Sequence, residues 1–184
     1  MEPYAVELLR APADPAWNEV LALYESAFPK NERRDPEIVR RMAAERPEME
    51  FYRVCAAPGG ALAGLVVLWR LGGFTYLEHL AVAPELRNGG VGRWILDWVG
   101  RTTDGFQLLE VEPEGTTPMA ARRIGYYRRN GYEIISRDYL QFPYRDGDAP
   151  LPLWLMGKGP CTADQLVERV ACLRRHLFGR ESLI

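Results

Sequence analysis

The sequence predicts an α/β (α+β) fold: a mixed, mostly antiparallel central sheet of about seven strands with helices on both faces. Three observations predict it. β-type runs at 49–57, 61–70 and 74–82 follow one another with only Pro58-Gly59-Gly60 and Gly72-Gly73 between them, which makes an antiparallel meander. An amphipathic helix separates the strand ending at Val82 from the run Gln107–Glu112, so these two strands can lie parallel through a right-handed crossover. The whole chain reads β, α, α, β, β, β, α, β, α, β, β, α, with no internal repeat, low-complexity segment or linker. The 184 residues are therefore expected to form a single domain, 1–184, closing with a helix over 162–178.

Each element has a local reason. Tyr4 to Leu9 is a first strand. Asp14-Pro15 opens a helix, Asp14 as cap and Pro15 at the first position. Trp17, Val20, Leu21, Tyr24 and Phe28 recur at helical spacing, and Pro29 ends the run. A charged link, Pro29-Lys-Asn-Glu-Arg-Arg-Asp-Pro36, leads to a second helix from Pro36 to about Arg46, with Ile38, Val39 and Met42 inward. The strand at 61–70 carries an unbroken apolar run, Leu65-Val-Val-Leu-Trp69, which predicts burial on both faces. Val91, Trp94, Ile95, Trp98 and Val99 form one stripe of a helix from about Gly90 to Arg101. Thr117-Pro118 is expected to start the next helix, Thr117 capping it, and Gly131 to stop it. Strands follow at Tyr132–Phe142 and Leu151–Met156, with Asp146-Gly147-Asp148 as the turn between. Thr162 caps the final helix, whose apolar side is Leu166, Val167, Val170, Leu173 and Leu177.

Composition narrows the function classes. Apolar residues make up 47% and charged residues 26%, as in an ordinary soluble globular domain. A net charge of −2 gives no reason to expect nucleic acid as partner. No apolar run is long enough to span a bilayer, and Met-Glu-Pro-Tyr lacks a basic start followed by an apolar stretch, so no membrane partner and a cytoplasmic location are expected. The three cysteines, Cys55, Cys161 and Cys172, have no metal-ligand spacing, and with only two histidines no metal site is expected. Cys55 and Cys172 read as small buried hydrophobes and Cys161 as a turn residue.

The stretch from Tyr76 to Trp98 carries the main chemical signal: strand, glycine turn, helix. Arg87, Gly90 and Gly92 have the spacing Arg-x-x-Gly-x-Gly. Glycines allow positive φ and close approach to the backbone, and a helix start offers unpaired N–H groups and the positive end of the dipole. An anion such as a pyrophosphate suits that arrangement, with Arg87 or Arg93 adding charge. Neither the Gly-x-Gly-x-x-Gly dinucleotide fingerprint nor the Gly-Lys-Ser/Thr of a P-loop is present.

Downstream, Tyr126-Tyr127-Arg-Arg-Asn-Gly131-Tyr132 ends a helix and enters a strand. Taken with Leu80-Ala-Val-x-Pro-Glu-x-Arg-x-x-Gly-x-Gly92, it resembles the GNAT superfamily of N-acetyltransferases, over roughly Tyr4 to Met156. The resemblance implies a GNAT-like acyl-coenzyme A N-acyltransferase fold, with acetyl-coenzyme A as co-substrate and no metal. It implies that the backbone of Leu80, Ala81 and Val82 pairs with the pantetheine arm. Arg87 and the amides of Asn88, Gly89, Gly90, Val91, Gly92 and Arg93 would wrap the pyrophosphate. The strands ending at Val82 and starting at Gln107 would splay to admit the thioester. Tyr127 would protonate the departing thiolate, a role that suits a neutral phenol. Tyr126 and Tyr132 read instead as core.

The acceptor amine needs a base, and three carboxylates are candidates. Leu109-Glu110-Val111 matches a Leu-Glu-Val run in which some GNAT enzymes place a glutamate acting through water, so Glu110 ranks first. Glu78, on the strand before the glycine turn, ranks second, and Glu112 third. His79 alternates away from Glu78 and reads as structural. The link Glu112-Pro-Glu-Gly-Thr-Thr-Pro118 departs from the family pattern: it is long and lacks an asparagine often found there, for which Thr116 or Thr117 would have to substitute. Arg122, Arg123, Arg128 and Arg129 read as a solvated basic face. The acceptor site would use Phe28–Pro36 and Pro143–Pro152, and the partner is a small-molecule or peptide amine met by a monomer or homodimer. The alternative is a non-catalytic acyl-coenzyme A sensor of the same fold.

Overall fold

The computed structural model describes residues 2–57 and 60–179, so the turn expected at Pro58-Gly59 lies outside them. The element order is the expected one: β1 (Tyr4–Leu9), α1 (Ala16–Ala27), α2 (Pro36–Glu45), β2 (Met49–Ala56), β3 (Leu62–Leu71), β4 (Phe74–Val82), α3 (Val91–Thr102), β5 (Phe106–Val111), α4 (Ala120–Arg129), β6 (Glu133–Gln141), β7 (Leu151–Lys158) and α5 (Ala163–Phe178). The strands form one mixed sheet in the order β1-β2-β3-β4-β5-β7-β6. By internal contacts the chain divides into two compact units, one holding residues up to Arg70 with Leu77–Thr102, the other Leu71–Tyr76 with the chain from Thr103 onward.

In the first unit, β1 pairs antiparallel with β2 from Tyr4↔Ala56 to Leu9↔Phe51, and β2 pairs antiparallel with β3 from Met49↔Trp69. Every residue from Ala63 to Trp69 is buried, as the unbroken apolar run predicts for a strand covered on both faces. α1 buries Trp17, Val20 and Tyr24, and the Trp17 ring meets Phe51 edge-on at 5.0 Å. α1 opens one residue later than expected: Pro15, not Asp14, takes the cap position, and Asp14 stands before it with its Oδ1 accepting the Ala16 N–H at 2.9 Å. The α2 stripe is narrower than the spacing suggests. Val39 and Ala43 are buried, but Ile38 stays 37% exposed, because it sits a third of a turn off the Val39–Ala43 seam. Arg10, at the end of β1, donates to the carbonyls of Ala43, Arg46, Pro47 and Met49 at 2.7–2.9 Å. That cation satisfies orphan carbonyls at the α2 C-terminus and favours the negative end of its dipole.

In the second unit, β7 pairs antiparallel with both β5 (Glu110↔Leu155) and β6 (Gln141↔Leu151). α4 opens at Ala120, not at Thr117-Pro118. A turn at Gly115 (φ +93°) and a bond from Thr116 N–H to the Pro113 carbonyl redirect the link. Thr117 Oγ1 then donates to Glu112 at 3.4 Å, leaving no side-chain cap on α4. Gly131, at φ +86°, ends the helix as expected. α5 begins with a complete capping box: Thr162 Oγ1 accepts from Gln165 N–H and Gln165 Oε1 accepts from Thr162 N–H. Leu173 and Leu177 are buried on its inner side, whereas Val167 is 70% exposed and lies off that stripe. Cys55 is buried, Cys161 and Cys172 are half-buried, and all three are free thiols.

Candidate active site

β4 ends at Val82 and the chain turns through a short 3-10 segment, Pro84–Leu86. Asn88 (φ +65°) and Gly90 (φ +87°) then take the left-handed conformation. The first helical bond of α3 runs from Trp94 N–H to the Gly90 carbonyl at 3.0 Å, so the amides of Val91, Gly92 and Arg93 form the open first turn. Residues 87–90 are exposed. A Cβ added to Gly90 would meet no atom within 4 Å, whereas one on Gly89 would stand 3.1 Å from the Leu86 carbonyl oxygen. Gly90 is therefore required by its φ, and the space over it is open. Arg87 Nε donates to the Val82 carbonyl at 3.3 Å, and Arg93 leans along α3 toward Asp97 at 3.8 Å. Leu80 and Val82 are half-buried and Ala81 is buried.

Tyr127 lies in the last turn of α4 and is buried at 8% exposure. Its ring meets Tyr126 at 5.1 Å and Tyr132 at 5.7 Å, both edge-on. Burial pushes its phenol up to about 12, with Arg123 pulling weakly the other way, so the hydroxyl keeps its proton at neutral pH. Tyr132 is a core residue, 1% exposed, and donates to the buried Gln107 amide oxygen.

The three carboxylates have different surroundings. The Glu78 side chain is 1% exposed; it pairs with Arg34, itself 6% exposed, and accepts from the Trp69 indole N–H at 2.7 Å. Burial alone would push its carboxyl up, but the Arg34 guanidinium and the Trp69 and Arg34 hydrogen bonds outweigh it and hold it below the usual range. Glu112 pairs with Arg123 at 2.9 Å and accepts from Thr117. Glu110 is half-buried and accepts from the amide of Gln141.

His79 does not simply alternate away from Glu78: both side chains reach partners on the segment that joins α1 to α2. His79 Nε2 lies 3.3 Å from Tyr24 Oη, which also accepts the Arg34 N–H at 3.2 Å, and its ring packs on Phe28 at 4.5 Å. Burial drives the imidazole down to about 4, so it is neutral. The hydroxyl and Nε2 share one proton between them, and which of them donates it is set by the histidine tautomer.

Residues 48–134 match the family model described as an acetyltransferase (GNAT) domain. A protein assigned to the GNAT acetyltransferases, from Bacteroides thetaiotaomicron, is 28% identical with a TM-score of 0.84, over 97% of this chain and 99% of that one. Over residues 48–134 the chain is similar to the GNAT acetyltransferases. Both likenesses are to acetyltransferases. A GNAT acetyltransferase from Elizabethkingia anophelis with acetyl-coenzyme A bound is 14% identical (TM-score 0.56, 87% of this chain, 100% of that one) and shares the fold. So does a spermidine N-acetyltransferase chimera from Vibrio cholerae and a human counterpart (14%, TM-score 0.61, 85% and 95%). No curated protein matches in sequence.

Sequence reasoning missed two features of the site. Arg33 and Arg34, read as part of a charged link, are each only 5% exposed. Arg33 donates to the Phe28 carbonyl at 3.0 Å and pairs with Glu25 at 3.1 Å, while Arg34 takes Glu78. A glutamate inside an apolar strand is itself a signal, since a buried carboxylate demands a cation. Gln141, 6% exposed, was read only as part of a strand, and no local pattern marks it. Among the described residues no group of His, Cys, Asp and Glu is arranged to hold a metal ion, and no helix is long and apolar enough to cross a membrane.

Proposed function

We propose that this chain moves an acetyl group from acetyl-coenzyme A to a primary amine, small-molecule or peptide, by direct attack in a ternary complex. The observation that carries the reading is the turn at 87–90: exposed, left-handed at Asn88 and Gly90, open above Gly90, and followed by the open first-turn amides of α3. Those groups fit a pyrophosphate. Arg87 and the backbone from Asn88 to Arg93 would hold it, and Leu80, Ala81 and Val82 would hold the pantetheine arm. Bound acetyl-coenzyme A supplies an activated thioester.

The rest of the chemistry falls to the chain's own side chains. An ammonium has no lone pair, so a carboxylate must take the acceptor's proton, directly or through one water. Glu110 is the choice. Glu78 is committed to Arg34 and Trp69, and its depressed pKa makes it a weak base; Glu112 is committed to Arg123 and Thr117. Tyr127 holds its proton at Oη until a stronger base appears beside it, as a general acid must.

Thermal shift with acetyl-coenzyme A and free-thiol release over a panel of amines test the reading together. The wild-type chain should be stabilised by the coenzyme, and Gly90→Val, which fills the cradle and strains the φ +87° backbone, should not while circular dichroism shows it folded. Glu110→Gln should keep the stabilisation and lose roughly 10²-fold or more in turnover. Undiminished stabilisation of Gly90→Val would sink the cradle, and undiminished turnover of Glu110→Gln would move the base elsewhere.

A further inference from the structure

We infer that Gln141 is a positioning residue for the Glu110 carboxylate. The inference rests on Glu110 being the base. β7 stands between β5 and β6, so Glu110 and Gln141 are not neighbours in the ladder: one lies opposite Leu155, the other opposite Leu151. Their side chains nevertheless meet across β7, Gln141 Nε2 donating to Glu110 Oε2. An ionised carboxylate only accepts, so the amide must turn its N–H side toward it. The same Nε2 lies 3.5 Å from the hydroxyl of Tyr144, at the start of the β6–β7 loop.

The surroundings explain why an amide suits this position. Tyr139, two residues before Gln141 on β6, has its hydroxyl in the field of Glu110, and the Arg174 guanidinium of α5 lies over the Tyr139 and Phe142 rings at 5.4 and 4.6 Å. From β7 the residue opposite, Leu155, brings no charge. The titratable and charged groups around Glu110 include Tyr139, Tyr144 and, beyond Tyr139, Arg174. Gln141 adds a donor that cannot itself take a proton. It fixes one carboxylate oxygen and favours the ionised form that a base requires. A cation there would hold the carboxylate too tightly, as Arg34 holds Glu78.

The test titrates Glu110 directly, by carbon-13 NMR of glutamate-labelled protein, its carboxyl signal assigned by its loss in Glu110→Gln. In Gln141→Leu the Glu110 midpoint should rise, and in Gln141→Glu, which keeps the size and adds a like charge, it should rise further. The acid limb of kcat/KM, measured with acetyl-coenzyme A and the fastest amine of the panel, should move up by the same amount. The coenzyme KM should hold. Unmoved midpoints in both variants would overturn the inference, and so would moved midpoints with a wild-type pH profile, which would leave Gln141 merely structural. Should Gln141→Leu fail to fold, Gln141→Glu carries the same test. Wild-type turnover in Glu110→Gln would overturn the base assignment and this inference with it, whereas a slow Glu110→Gln beside unaffected Gln141 variants would remove the inference alone.

Discussion

Glu78 and Glu110 are the same residue type, each inside a strand of the sheet and each preceded by a leucine, yet they are held by opposite kinds of partner. Glu78 sits 1% exposed against a buried guanidinium and an indole N–H. Glu110 is half-buried against a neutral amide. A guanidinium locks a carboxylate in its charged form and leaves it a poor proton acceptor; an amide orients it without neutralising it. The difference teaches that a strand pattern names candidate carboxylates but their partners decide which one can work. Those partners come from elsewhere in the chain: Arg34 from the α1–α2 segment, Gln141 from the far side of β7.

The comparison can be broken most forcefully at the ion pair. Arg34→Ala strands a buried carboxylate and should cost about 3–5 kcal/mol in urea unfolding. A loss under 1 kcal/mol would mean that Glu78 is solvated and open to catalysis after all. The next effect is on pH. Burial holds His79 near 4 in the folded chain, against 6.5 for an ordinary histidine. Between those values the unfolded chain takes up a proton that the folded one does not, so stability falls as pH drops, by on the order of 3 kcal/mol across the window. His79→Gln should flatten that slope. Glu78 acts in the same direction lower down: its depressed pKa gives stability that is present above the ordinary carboxylate range and lost as pH falls through the folded value. An unchanged slope in His79→Gln would show that the pocket admits charge.

Tyr127→Phe should leave thermal stabilisation by the coenzyme intact and lower kcat by roughly 10²-fold, about 2.7 kcal/mol in barrier. Wild-type kcat would mean that solvent or another group protonates the thiolate. The smallest effect sharpens the Glu110 side. Thr162→Ala removes the capping box of α5, the helix that carries Arg174, and should cost about 1 kcal/mol without touching the Glu78 pocket. A cost near zero would show that packing of Leu173 and Leu177 alone seats that helix.

Much of this was legible in the chain. β1 and β4 fall on the expected residues, and the α3 glycine turn and the Gly131 stop are backbone requirements that only a few residue types meet. The errors share a cause. Thr117 looks like a cap, but the Gly115 turn sends its hydroxyl to Glu112. Ile38 and Val167 keep helical spacing, but what their helices pack on covers a narrower stripe than the spacing allows.

The sequence by itself determined the order of elements, the conformation of the glycine turn and the resemblance to the GNAT acetyltransferases, because φ preferences, capping and apolar period are local properties of the chain. Only the tertiary structure decided that Arg33 and Arg34 are buried, that Glu78 is locked by one of them, and that Gln141 reaches Glu110 across β7. Those pairings join residues 44 and 31 positions apart, and the partner of a buried charge is set by which segments fold against it.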